Sequence, residues 1–153
     1  MNRFTSRSAT SALAGVLLSA SVLCFLGATP AAAADARLTV NFIGIKRPAG
    51  VIMAGVFDSE AAFKGGEPLV GARIPVSGAT AAQTLTGLKP GRYAIKAYHD
   101  LNGDGRMNTN PFGMPTEPYA ASNNAPSRMG PPAWSDATFE ITAGGNVQTI
   151  TID

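Results

Sequence analysis

The side chains with the most chemical capacity are crowded into one stretch, "HDLNGDGRMN", from His99 to Asn108. Asp100, Asn102 and Asp104 alternate, Gly105 follows, and Asn108 comes a turn later. This spacing matches the first, third, fifth, sixth and ninth positions of a calcium loop, in which hard oxygen donors converge and glycine permits a sharp bend. The carbonyl of Arg106 offers one more ligand. The twelfth position is Pro111, where an EF-hand places a bidentate glutamate, so calcium would need Glu117, Asp136 or a loop carbonyl to complete its shell. With two carboxylates in the loop, affinity is expected to be modest, roughly 10⁻⁴ to 10⁻³ M as in extracellular modules. The competing reading is an Asx-type turn, in which the same oxygens cap backbone amides.

Three other chemistries can be read nearby. His99, the sole histidine, sits beside Asp100, and with Asp100 or Glu117 it could serve a hydrolase as general base. Its motif offers no nucleophile, however, and strand parity puts it on the apolar face with Tyr93 and Ile95, where it would tie loop to sheet. Copper is a second possibility, through His99, Met107, Met114 and Met129, although methionine also fills gaps in irregular loops. The third is a groove for a small molecule, glycan or peptide, lined by Tyr119, Trp134 and Phe112, with Asn123 and Asn124 hydrogen-bonding the ligand. The alternative is that these rings pin the loop down.

The chain ahead of these residues sets their compartment. Arg3 and Arg7 precede an apolar stretch from Ala12 to Leu26, and Ala32-Ala33-Ala34 supplies a small-residue cleavage pattern. This predicts a signal peptide over residues 1–34, a single exported domain over residues 35–153, and a periplasmic or extracellular location without a retained membrane span. The only cysteine, Cys24, lies in the leader behind the bulky Leu23, which argues against a lipid anchor. The domain would therefore have no disulfide, no cysteine nucleophile and no thiolate zinc site. Of the 12 basic residues, Arg3 and Arg7 belong to the leader, leaving 10 against 10 acidic residues. A neutral domain without a basic stripe excludes nucleic acid as a partner.

Period-two alternation dominates after residue 35, and no helical stripe is sustained. Strands are expected over 37–45, 50–57, 69–76, 80–85, 93–99, 138–142 and 147–152, with a helical turn capped by Asp58 and ending at Phe63. The last two strands flank "AGGN" and read as a hairpin. Leu88, the Pro90-Gly91 turn and Tyr93 resemble a tyrosine corner, in which the phenol ties back to an upstream backbone group. These features predict an all-β fold, a roughly seven-stranded immunoglobulin-like or transthyretin-like Greek-key sandwich. Residues 100–135, rich in proline and asparagine, form one long ordered loop in this reading. Loops of such length are usually functional when they are ordered.

"PGRYAIKAYHDLNGDGRMNTNPFGMPTEPYAASNNA", followed by "GPPAWSDATFEI", resembles the small exported bacterial proteins grouped as domain of unknown function 2141. The resemblance is specific across residues 90–141 and implies an exported β-sandwich, with no activity or substrate attached. It marks Tyr93, His99, Asp100, Asn102, Asp104, Gly113, Glu117, Pro118, Tyr119, Ser122 and Asn123 as pattern positions. The expected function is therefore a binding or structural module, calcium-stabilised at the 100–108 loop if metal is used, with a periplasmic hydrolase as the alternative.

Overall fold

The computed structural model describes residues 35–153, so the expected leader, with Cys24, lies outside the described residues. The described chain is mostly β, in two sheets. The first sheet has the order β4 (Ala81–Leu88), β1 (Ala36–Ile43), β8 (Gly144–Thr151). The second has the order β3 (Val70–Pro75), β2 (Val51–Phe57), β5 (Gly91–Asp100), β6 (Tyr119–Ala121), and β7 (Phe139–Ile141) pairs with the opposite end of β5. All pairs are antiparallel except β1 with β8.

Alternation explains why these residues make sheets that share a core. Leu38, Val40 and Phe42 of β1 are buried while Arg37 and Ile43 face out, and the buried set joins Ile52, Val56, Ile95 and Ile150 in one cluster spanning both sheets. Each such fully buried side chain contributes about 1.5–3 kcal/mol of transfer free energy. The Tyr93 hydroxyl donates to the Lys89 carbonyl at 2.9 Å, fixing the turn that feeds β5.

Three local expectations are corrected. The helical turn is α1 (Glu60–Gly65), and the side chain of Ser59, not Asp58, caps it by accepting from the Ala62 amide. The terminal hairpin does not form, because β7 and β8 belong to different sheets. Asn146 replaces the missing partner strand: its Oδ1 accepts from the Thr142 amide at 3.0 Å and its Nδ2 donates to the Thr142 carbonyl at 2.7 Å. Freed from a ladder, the chain crosses at Gly144, whose φ of 95° favours glycine. Finally, the 100–135 segment is not all loop. It holds β6, a 3₁₀ turn at Ser122–Asn124 and the start of α2 (Trp134–Ala137).

Candidate functional site

The stretch from His99 to Asn108 closes on its own amides. Asp100 is fully buried, and its two oxygens accept from Gly103 N at 2.7 Å and Gly105 N at 2.8 Å. Asn102 Oδ1 accepts from Asp104 N, and Asp104 Oδ1 accepts from Arg106 N. Asp104 Oδ2 receives the side-chain amides of Asn102 and Asn108 at 3.0 and 3.1 Å. The Asn108 amide, followed by the Arg106 backbone N–H, holds the Asp104 carboxyl below its ordinary range, because both stabilise the anion. Tyr98 donates its hydroxyl to the Gly105 carbonyl at 2.9 Å, tying the turn to the sheet. Burial, then the charges of Asp100, Glu117 and Asp104, push the Tyr98 phenol above its ordinary value.

Glu117 closes the next level. It is 7% exposed, and its oxygens accept from Leu101 N at 2.9 Å and Asn108 N at 3.0 Å, so one carboxylate clamps both ends of the turn. From this base rises a small hairpin, with Thr109 bridged to Pro115 and Thr116 N donating to the Asn108 carbonyl. Asn110 Oδ1 holds its tip by accepting from Phe112 N and Met114 N. Phe112 at 87% and Met114 at 57% exposure stand out from that tip. The residues expected to ligate calcium, Asp100, Asn102, Asp104, Asn108 and Glu117, are thus brought together, with Arg106 contributing its amide. Among the described residues, no group of three or more histidine, aspartate or glutamate side chains is placed to hold a metal ion.

His99 lies on the other side of the sheet. It is buried, pairs with Ile52 across the ladder, and its Nε2 donates to the Ala49 carbonyl at 2.6 Å. Bonding to a carbonyl assigns the proton to Nε2 and turns the ring toward the β1–β2 connection. Adjacent residues of a strand face opposite ways, so His99 and Asp100 do not converge as an acid–base pair. For the same reason His99 is separated from Met107, Met114 and Met129.

Ser122, Asn123 and Asn124 form a fastener. Ser122 Oγ accepts from Ile95 N at 2.9 Å and donates to the Ala137 carbonyl, filling the gap on β5 between its pairings with β6 and β7. Asn123 donates to the Thr138 carbonyl at 2.9 Å, and Asn124 accepts from Thr151 N at 2.8 Å. Both asparagines adopt the left-handed conformation their short side chains tolerate. The Asn123 amide and the Asn124 side-chain oxygen are thus engaged within the chain, and neither residue lines the large groove, although Asn124 borders a smaller cleft with Tyr119 and Ser127. Trp134 stacks edge-on against Phe63 with centroids 5.5 Å apart, in a satellite cluster with Phe57 and Ala137. Of the five residues expected to form a ligand groove, Tyr119 alone lines the large groove.

That groove, of about 1170 Å³, lies on the outer face of the β3-β2-β5-β6 sheet. Ladder register builds its floor as two rows. One runs Arg73, Met53, Tyr98, Tyr119, and the other runs Gly71, Gly55, Lys96 toward the buried Ala121. Gly55 makes room for Pro68 and the Phe57 ring, which lie 3.1 and 3.2 Å from where its Cβ would stand, whereas a Cβ on Gly71 would meet nothing within 4 Å. Met107, Met114 and Pro115 from one arm of the long segment and Met129, Pro131 and Pro132 from the other line the groove. Lys96 Nζ sits 4.3 Å from the Phe63 ring centroid and donates to the Phe63 carbonyl, and burial lowers its pKa. Lone glycines inside strands mark close approach by another group, which at Gly55 is Pro68 and Phe57 of the same chain, so the sequence signal for this site rests on Gly71 alone.

No helix among the described residues is long and apolar enough to cross a membrane. No curated protein and no solved structure matches the chain. Residues 40–150 match the family described as an uncharacterised protein conserved in bacteria, domain of unknown function 2141. That match spans most of the described domain and includes both the closed turn and the groove, and the chain belongs to this family.

Proposed function

We propose that the chain is an exported β-sandwich binding module, of immunoglobulin- or transthyretin-like Greek-key type, whose ligand is apolar and lies in the groove over Gly71. Export is supported by the basic start, apolar run and alanine-rich cleavage pattern of residues 1–34. The Tyr93 tie to Lys89 supports the Greek-key type. The observation that carries the function is a concave, mostly apolar surface, open at Gly71 and lined by methionines, with Met114, Tyr119 and Met129 exposed. Binding sites are mostly apolar and concave, with a few placed polar groups. Flexible, polarisable methionines adapt to varied apolar shapes. In this reading the 100–108 turn and Glu117 are supports, holding the wall that carries Met107 and Met114.

The test is Gly71→Trp, which fills the groove at a position with open space and a backbone conformation that any residue adopts. Binding of a neutral solvatochromic dye should be lost while the melting midpoint stays unchanged. Equal dye binding by Gly71→Trp and the unaltered protein would exclude the groove.

A further inference from the structure

The groove is apolar along its length but not electrically neutral. Two charged side chains line it, Lys96 and Arg73, and both are cationic, with no acidic side chain among the lining residues. Among the described residues neither has a carboxylate within salt-bridge distance; the ion pairs are Lys46–Asp153, Lys64–Glu60 and Arg92–Glu140. Lys96 is the more telling of the two. Its ammonium is drawn back over the rings of Phe57 and Phe63, where it has a carbonyl and two aromatic faces but no counter-ion. A half-buried cation with no anion beside it has lost part of its hydration, and an incoming anion offsets that loss.

Resting on the groove reading, we infer that the ligand is a long-chain carboxylic acid, its alkyl chain along Gly71, Pro68 and the methionines and its carboxylate on Lys96. The lining supports the placement, because Lys96 borders the groove together with Phe57, Pro68 and Gly71, so an apolar wall adjoins the side chain that carries the ammonium. Arg73 also lines the groove and adds positive potential. An acyl chain also fits the shortage of hydrogen-bonding partners. The Tyr98 hydroxyl is already given to Gly105, and the floor amides belong to the ladder, so a peptide backbone would find few hydrogen-bonding partners on the groove floor. A methylene chain has none to satisfy.

The experiment measures displacement of the neutral dye by hexadecanoate, by hexadecanol and by an uncharged apolar peptide, each below its aggregation concentration. Hexadecanoate should displace dye at about tenfold lower concentration than the alcohol, the margin expected of one charge-assisted contact. Lys96→Met should erase that margin and Lys96→Arg should retain it. The acid-to-alcohol ratio on the unaltered protein stands even if Lys96→Met folds poorly. Equal displacement by acid and alcohol, or stronger displacement by the peptide, would overturn the carboxylic acid while leaving the groove reading intact. Dye binding insensitive to every competitor and to Gly71→Trp would overturn both.

Discussion

Replacing Glu117 by alanine removes the clamp on the long segment, and the size of the loss can be worked from its contacts. The carboxylate is 7% exposed and accepts Leu101 N at 2.9 Å and Asn108 N at 3.0 Å. A hydrogen bond to a charged group contributes about 1.5–3 kcal/mol, so the pair is worth about 3–6 kcal/mol. Water reaching the freed amides at the hairpin base returns part of this, leaving an expected loss of about 2–4 kcal/mol. That is a large share of a typical domain stability of about 5–15 kcal/mol. For a domain of this size it corresponds to a fall in melting midpoint of roughly 10 °C. Glu117→Gln keeps one acceptor but turns an N–H₂ toward a backbone N–H, so it should lose about half as much. Thermal denaturation reads the global effect, and amide hydrogen exchange at Leu101 and Asn108 reads local release of the segment. A midpoint within about 2 °C of the unaltered protein, together with unchanged exchange at both amides, would refute the clamp.

Further outcomes are expected. Because the turn's carboxylates are engaged by amides, the melting midpoint should be the same in millimolar calcium and in chelator; a rise with calcium would mean that Asp100, Asn102 and Asp104 turn onto the ion. Gly50 has a φ of 72° and lies against the Asp100 carbonyl with no room for a Cβ, so Gly50→Ala should destabilise by about 1–3 kcal/mol in urea denaturation. The Tyr98 phenol, raised above 10.0, contributes stability that is complete below pH 10.0 and is lost as pH climbs through its folded value. Tyr98→Phe should flatten that alkaline limb of the stability profile, and an unchanged limb would assign it elsewhere. Mild peroxide should oxidise Met129 and Met114, both exposed, and weaken dye binding without lowering the midpoint. Retained binding after complete sulfoxide formation would remove the methionine walls from the site.

The strands of this domain were legible because alternation records one wet and one dry face. Leu38, Val40 and Phe42, or Tyr93, Ile95 and Ala97, could scarcely be read otherwise. Strand partners were not legible in the same way. "AGGN" reads as a hairpin to any local rule, and only the Asn146 side chain, standing in for a neighbouring strand, lets β7 and β8 part. In the candidate site, the sequence showed the oxygen-rich turn but not where its lone pairs point. Calcium loop and Asx turn have the same spacing and differ in what the oxygens face. The groove left a fainter trace. Gly55 and Gly71 each look like a weak point in a strand, yet Gly55 makes room for Pro68 and Phe57 while Gly71 stays open. Asn123, Asn124 and Trp134 looked available because polarity and aromaticity do not say whether a partner lies within the chain.

The parallel pairing of β1 with β8 sets when the domain can finish folding. Ala36 lies opposite Gly144, and Ile43 opposite Thr151, so the first strand waits for the last before both its edges are covered. Contacts between distant parts of a chain form slowly because a long loop must close first. A chain emerging from its amino terminus can build the β2–β3 and β2–β5 ladders early, yet its first sheet stays one strand short until the final residues arrive. The closing strand is therefore the step that completes the first sheet and seals its share of the core.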